Sequence, residues 1–241
     1  MANDLTFKTT PLSDEKVSIV IVHNDAPAHL NIALQSISAN SLNNKYEVIV
    51  VDDASETQDA IDYLSELEKQ DCKVVRNSKK LWWTKSANIG AKNADPDSRY
   101  FVFMHHDIVI LSPAWLDFMI NIAESQNSGL VGVSMSQYTC DDSSRKRLDV
   151  QFIDEWCMLV SKECWQDCGP FDERLEQVGA PFVFTLASNY FNYNPQCISN
   201  SLVYHYGVFK MTISDLERFN DKSRLIIPDI VNELNKKAIR E

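Results

Sequence analysis

The sequence predicts an α/β protein with a mostly parallel sheet flanked by helices. Two observations carry this. Apolar, β-branched runs at residues 17–22 (Val-Ser-Ile-Val-Ile-Val), 46–51 (Tyr-Glu-Val-Ile-Val-Val) and 100–104 (Tyr-Phe-Val-Phe-Met) read as strands buried on both faces. Helical patterns separate them, so the order is βαβαβαβ, with right-handed crossovers.

Taken in order, the first strand stops at His23-Asn24-Asp25, and Pro27 then opens a helix on which Leu30, Ala33, Leu34 and Ile37 recur at helical spacing. The second stops at Asp52-Asp53-Ala54-Ser55. Ser55 and Gln58 read as a capping box ahead of Ile61, Leu64 and Leu67. A short strand at 73–75 and a helix over about 86–93 follow. The fourth strand runs into His105-His106-Asp107 before resuming as Ile108-Val109-Ile110. Ser112-Pro113 caps a helix whose apolar stripe is Trp115, Leu116, Met119, Ile120 and Ala123. Residues 129–135 and 151–161 read as further strands, the second interrupted by Asp154-Glu155-Trp156. Residues 137–149 are charged and aperiodic, which predicts a mobile surface loop. From Ser214 the chain is polar and helical, with Pro228 starting or breaking a last helix.

Open parallel sheets bind ligands at the carboxyl ends of their strands, so three strands delivering acids, amides and imidazoles to one edge mark a crevice. The histidine-aspartate triplet suits a divalent metal or a phosphate-bearing ligand; its alternative is a solvated loop. The Asp52-Asp53 pair reads as a recognition element, with helix capping as its alternative. Trp82 and Trp83 read first as core, although an indole also stacks on sugar rings. Asp154 and Glu155 on an apolar strand point to a cleft, because a buried unpaired carboxylate is costly.

Composition narrows the classes. The 241 residues contain 23 basic and 34 acidic side chains, a net charge of −11, which disfavours nucleic acid as a partner. Hydrophobic content of 44% and charged content of 24% are those of an ordinary globular protein. No stretch has the length of a transmembrane helix and the N-terminus lacks a signal pattern, so a cytoplasmic protein is expected, with peripheral membrane association left open. The six cysteines show no zinc spacing and read as free thiols; Cys164 and Cys168 share a helix face. No G-x-G-x-x-G follows the first strand, which removes the main support for a dinucleotide site.

Seven segments in order resemble the family-2 glycosyltransferases of GT-A fold: residues 17–25; 47–55 (Glu-Val-Ile-Val-Val-Asp-Asp-Ala-Ser); Asn88-Ile-Gly90; 101–107 (Phe-Val-Phe-Met-His-His-Asp); 152–161; 169–174 (Gly-Pro-Phe-Asp-Glu-Arg); and 203–207 (Val-Tyr-His-Tyr-Gly). The resemblance spans roughly residues 15–210. It implies one GT-A (Rossmann-like) domain with a nucleotide-sugar-binding half at about 15–110, a mixed acceptor half at about 111–210 and a helical tail at 211–241. The implied activity is inverting transfer from a nucleotide-sugar donor to a glycan, lipid-linked or protein acceptor, with Mn²⁺ or Mg²⁺ as cofactor. It places Asp107, His105 and His205 on the metal, the triplet standing where the family has D-x-D; His205 has a structural histidine as its alternative. It places Val22, Asn24, Asp25, Asp52, Asp53 and His106 near the nucleotide, with Asp52 holding its loop and Asn88 steadying the donor segment; Lys79-Lys80 and Lys85 are a local basic patch that could bind a nucleotide. One departure matters. The family's base aspartate follows a glycine and a glutamate, whereas this chain has Gly179-Ala180-Pro181. Glu155, Glu176 and Asp154 are the substitutes by sequence. A catalytically degenerate domain that binds nucleotide or glycan, or supports a partner enzyme, is the alternative function.

Overall fold

The computed structural model describes residues 15–41, 44–70, 72–140, 148–198, 202–207 and 211–238. Its first half alternates β1 (Lys16–His23), α1 (Pro27–Asn40), β2 (Lys45–Asp52), α2 (Gln58–Lys69), β3 (Lys73–Arg76), α3 (Trp82–Lys92) and β4 (Tyr100–His105). The remainder comprises β5 (Ile108–Ile110), α4 (Trp115–Ser125), β6 (Leu130–Gly132), β7 (Met135–Cys140), β8 (Leu148–Ile153), β9 (Cys157–Ser161), α5 (Lys162–Cys168), α6 (Ala180–Tyr190), β10 (Gln196–Cys197), β11 (Val203–His205) and α7 (Ile213–Ala238). Seven strands form the main sheet in the order β10-β6-β9-β4-β1-β2-β3, and β9 alone runs antiparallel to its neighbours.

Strand periodicity divides the core. Val17, Ile19 and Ile21 of β1 and Tyr100, Val102 and Met104 of β4 pack with α1, α2 and α4 on one face. Val20, Val22, Phe101 and Phe103 pack with α3, α5, α6 and α7 on the other. Helix α3 lies unusually close to β1. A Cβ added at Gly90 would stand 2.2 Å from Val20 Cγ1, so only glycine lets the helix lie this low.

The chain passes from β1 to β2 and β3 on one side, then crosses back so that β4 lies on the other side of β1. The carboxyl ends of β1 and β4 therefore flank a topological switch point, where open sheets leave a crevice.

Several local expectations are corrected. Ser55 and Gln58 form no capping box: α2 begins at Gln58, and its preceding backbone N–H groups, those of Glu56 and Thr57, donate to Asp25 Oδ1 from the end of β1. Helix α3 starts at Trp82 rather than near 86. Helix α4 has Ala114 as its N-cap and no side-chain cap, though its predicted stripe is buried. The strand expected at 151–161 is two strands, because Asp154 leaves the ladder to accept hydrogen bonds from Ser134 and Ser136. The expected loop at 137–149 is strand at both ends, β7 pairing antiparallel with β8, while residues 141–147 lie outside the described residues. Pro228 neither starts nor breaks α7. It sits on the exposed side, where the carbonyl left without a donor belongs to the exposed stretch around Arg224. Phe219, Ile227 and Ile230 of α7 are buried against the domain. Among the described residues no helix is long and apolar enough to cross a membrane.

Candidate active site

The switch-point cleft is lined by Val22, Asn24, Asp53, Lys80, Trp82 and the His105–Asp107 turn, together with His205. Its polar centre arises from a break in one strand. After His105, the His106-Asp107 turn lifts the chain out of the main sheet, and β5 pairs instead with β11, placing His205 opposite Ile108. The Tyr206 N–H donates to the Asp107 carbonyl at 3.1 Å and fixes this register. His205 Nε2 then lies 3.3 Å from Asp107 Oδ1, and His105 Nδ1 lies 3.9 Å from the same oxygen. Donor atoms of His105, Asp107 and His205 all fall within 4.8 Å of one another.

Aromatic packing holds both imidazoles. The Trp156 ring stacks on His205 with centroids 4.7 Å apart, and His105 meets His205 edge-on at 5.4 Å. Burial pushes His105 down to about 3; Asp107 opposes that shift while His205 and His106 add to it. His105 is therefore neutral at physiological pH, the form that offers a lone pair to a metal. Two imidazoles and one carboxylate converging on a small volume fit a divalent transition-metal ion, which accepts nitrogen more readily than Mg²⁺ does.

The residues expected near a nucleotide divide into lining and supporting groups. Val22, Asn24, Asp53 and His106 line the cleft. His106 Nδ1 lies 3.1 Å from the Val22 carbonyl and its ring meets His23 edge-on, so the β4 turn is tied to the β1 end. Asp53 is buried and its carboxylate is occupied within the protein. Oδ1 accepts from Leu81 N, Ser86 Oγ and Asn77 Nδ2, and Oδ2 accepts from Trp82 N at 2.9 Å. These bonds hold Trp82 at φ +66°, a left-handed conformation that bulky residues rarely adopt. Asp52 accepts from the Ser55 N–H and hydroxyl, holding its loop; burial raises its pKa against those bonds.

Two expected nucleotide ligands are placed elsewhere. Asp25 Oδ1 accepts from Glu56 N, Thr57 N and Thr57 Oγ1, so it supports the start of α2. Lys85 does not line the cleft; it contributes to the field at Glu176 instead. Lys80 takes its place, with Nζ 3.4 Å from Asn24 Oδ1 and 4.5 Å from the Trp82 ring centroid. Trp82 lines the cleft and meets Phe219 of α7 edge-on at 4.7 Å, whereas Trp83 is buried as core yet also reaches the cleft wall. Gln177 was not anticipated: its Oε1 accepts from Trp83 N, a contact across the chain that no local pattern announces. Asn88 fastens the segment after α5, accepting from Phe171 N and donating to Phe171 O.

The three substitute acids differ sharply. Asp154 is buried and accepts from Ser134 and Ser136, which commits it to the turn between β8 and β9. Glu176 is engaged by Lys222 at 2.7 Å and Arg218 at 3.3 Å, and Lys222 chiefly holds its pKa down. Glu155 lies beside the His105, Asp107 and His205 cluster, Oε1 3.9 Å from His105 Nε2, and burial pushes its pKa up to about 7. Ala180 and Pro181 are buried in the first turn of α6, behind Gly179 at φ +95°.

Comparison with known proteins agrees with this architecture. The sequence profile described as glycosyl transferase family 2 matches residues 18–175. An uncharacterised protein of Sinorhizobium fredii, y4gI, is 28% identical over 131 residues, which cover 52% of this chain and 13% of that protein. The fold is similar to that of the mannosyltransferase PcManGT from Pyrobaculum calidifontis in complex with GDP-Man and Mn²⁺, with a TM-score of 0.66 and 14% identity over 96% of this chain and 66% of that one. It is similar to S. aureus TarS, with a TM-score of 0.57 and 17% identity over 80% of this chain and 37% of that one. It is also similar to GalNAc-T7 with UDP, GalNAc and Mn²⁺, with a TM-score of 0.53 and 13% identity over 70% and 39% of the two chains. The chain thus spans about two thirds or less of the proteins it is compared with. The profile match covers well over half of the sequence, and the sheet carries the GT-A arrangement: the chain belongs to glycosyl transferase family 2.

Proposed function

We propose that the protein is an inverting, metal-dependent glycosyltransferase that moves a sugar from a nucleotide-sugar donor to an acceptor hydroxyl on a glycan, lipid-linked intermediate or protein. The observation that carries this reading is the convergence of His105, Asp107 and His205 at the switch-point cleft. The ligands named for the PcManGT and GalNAc-T7 structures, nucleotide-linked sugar components with Mn²⁺, support it.

In this reading Asp107, His205 and His105 hold the cation, and the imidazoles favour Mn²⁺ over Mg²⁺. When bound, such a cation neutralises charge developing on the departing diphosphate. Val22, Asn24 and His106 shape the cleft around the nucleotide, and Lys80 adds a cation on the same wall. Asp53 acts by holding Leu81 and Trp82 in place. Glu155 is the acid assigned to the acceptor proton, because Asp154 and Glu176 are engaged by serines and by basic side chains. A carboxylate with a pKa near 7 is suited to general-base work at neutral pH. Free thiols, five among the described residues, suit a reducing compartment such as the cytoplasm.

One observation favours a second reading, a binding domain without transfer activity: Ala180-Pro181 stands at the family's base position. A single experiment separates the two. The protein is incubated with Mn²⁺, a panel of nucleotide sugars and hydroxyl acceptors, and nucleoside diphosphate release and product anomer are measured. Transfer with inversion, lost in Glu155→Gln while donor binding persists, supports the enzyme. Donor binding without transfer or hydrolysis across the panel supports the binding domain.

A further inference from the structure

His105 stands between two carboxylates. Its Nδ1 faces Asp107 Oδ1 and its Nε2 faces Glu155 Oε1, each at 3.9 Å. His105 Nε2 is buried and has no hydrogen-bond partner among the described residues, so Glu155 is the carboxylate beside an otherwise unmet ring nitrogen. The backbone fixes this proximity. The His105 N–H donates to the Trp156 carbonyl at 3.0 Å, which keeps the β8–β9 turn carrying Glu155 alongside the end of β4. A neutral imidazole carries one ring hydrogen, and the other nitrogen is its ligand atom. Carboxylates that accept the second N–H of a metal-bound histidine fix its tautomer and raise its basicity.

We propose that Glu155 is a positioning residue for His105. Its Oε1 accepts the Nε2–H, which confines the imidazole to one tautomer and turns the Nδ1 lone pair toward Asp107 and His205. This inference rests on the reading of that cluster as a cation site. It gives the second imidazole a defined donor atom and leaves Glu155 Oε2 for the acceptor proton. It also links the two halves of the molecule: a residue between β8 and β9 sets the ligand geometry at the end of β4.

The tautomer is read without metal or activity. In ¹⁵N-histidine-labelled protein, long-range ¹H–¹⁵N spectra identify which ring nitrogen is protonated, with the His105 signals assigned through His105→Asn. The wild type is expected to show His105 as the Nε2–H tautomer, and Glu155→Leu to give a mixture of the two. Mn²⁺ affinity, measured from free Mn²⁺ by electron paramagnetic resonance, is expected to fall about 10–100-fold in Glu155→Leu and to recover in part in Glu155→Asp. An unchanged tautomer with a Mn²⁺ affinity within twofold of wild type overturns the proposal. Complete loss of Mn²⁺ binding with the tautomer unchanged also overturns it, making Glu155 a direct ligand instead. If Glu155→Leu does not fold, Glu155→Gln replaces it: its amide oxygen should keep the tautomer while the lost charge weakens Mn²⁺ binding, and unchanged affinity counts against the proposal. A wild type that binds no Mn²⁺ sinks the cation reading, while the tautomer still decides whether Glu155 orients His105.

Discussion

Asp53 on the second strand end holds Trp82 in a left-handed conformation, accepting the Trp82 N–H at 2.9 Å through one carboxylate oxygen and the Leu81 N–H at 2.7 Å through the other. A left-handed backbone at a non-glycine residue costs roughly 1–2 kcal/mol. The interactions made at this position offset that cost and present an indole to the cleft. Asp53, expected beside the nucleotide, lines the cleft and also anchors the segment that carries Trp82.

Removing that anchor should be expensive. Each buried donor left without an acceptor costs about 1–3 kcal/mol. Asp53→Ala removes the acceptor of the half-buried Leu81 and Trp82 N–H groups and of the buried Ser86 hydroxyl, while Asn77 keeps Ser86 Oγ, so a loss of about 2 kcal/mol or more is expected in urea unfolding. A loss under about 1 kcal/mol would mean that these bonds do not hold the segment.

These long-range bonds explain what was and was not legible in the sequence. The alternation of strands and helices and the polar strand ends, His105 and Asp107 among them, were legible in the buried apolar runs, whereas His205 was placed beside them by the family resemblance alone. Helix starts did not. Asp25 serves the start of α2 from another strand end, so Ser55 was a false cap; Asp53 fixes the start of α3 in the same way. Lys85 looked equivalent to Lys80 by sequence, and only the placement of α3 decides which one reaches the cleft. The Asp154-Glu155 pair marks where the strand expected at 151–161 breaks, but the serines that hold the turn, Ser134 and Ser136, come from before β8 and are not announced within that segment.

The close approach of α3 to β1 gives a second prediction. Gly90→Ala inserts a methyl group 2.2 Å from Val20 Cγ1, and overpacking of this kind costs about 1–3 kcal/mol. Adding Val20→Ala should remove much of the strain, so the double mutant should lose less than the sum of the two single changes. Strict additivity in chemical denaturation would contradict the packing described.

Glu155 predicts a pH dependence. Its pKa rises from 4.5 in the unfolded chain to about 7 in the folded protein, chiefly through burial. The folded state therefore binds more protons between these values, and the stability this contributes is present below pH 4.5 and lost as pH rises through 7. Glu155→Gln should be nearly neutral at pH 4.5 and should stabilise the metal-free protein by about 1–3 kcal/mol at pH 8. A stability difference that does not change between pH 4.5 and pH 8 would show that Glu155 ionises normally.

The central claim is that Asp107 and His205 join a divalent cation to a nucleotide in the cleft between β1 and β4. Isothermal titration calorimetry with a nucleoside diphosphate, with and without Mn²⁺, measures it directly on wild type, His205→Ala and Asp107→Asn. The account predicts that Mn²⁺ tightens binding to the wild type at least tenfold, that His205→Ala keeps part of this gain, and that Asp107→Asn loses most of it while remaining folded. Equal Mn²⁺ dependence in wild type and Asp107→Asn, or no nucleotide binding by the wild type at millimolar concentration, would contradict it.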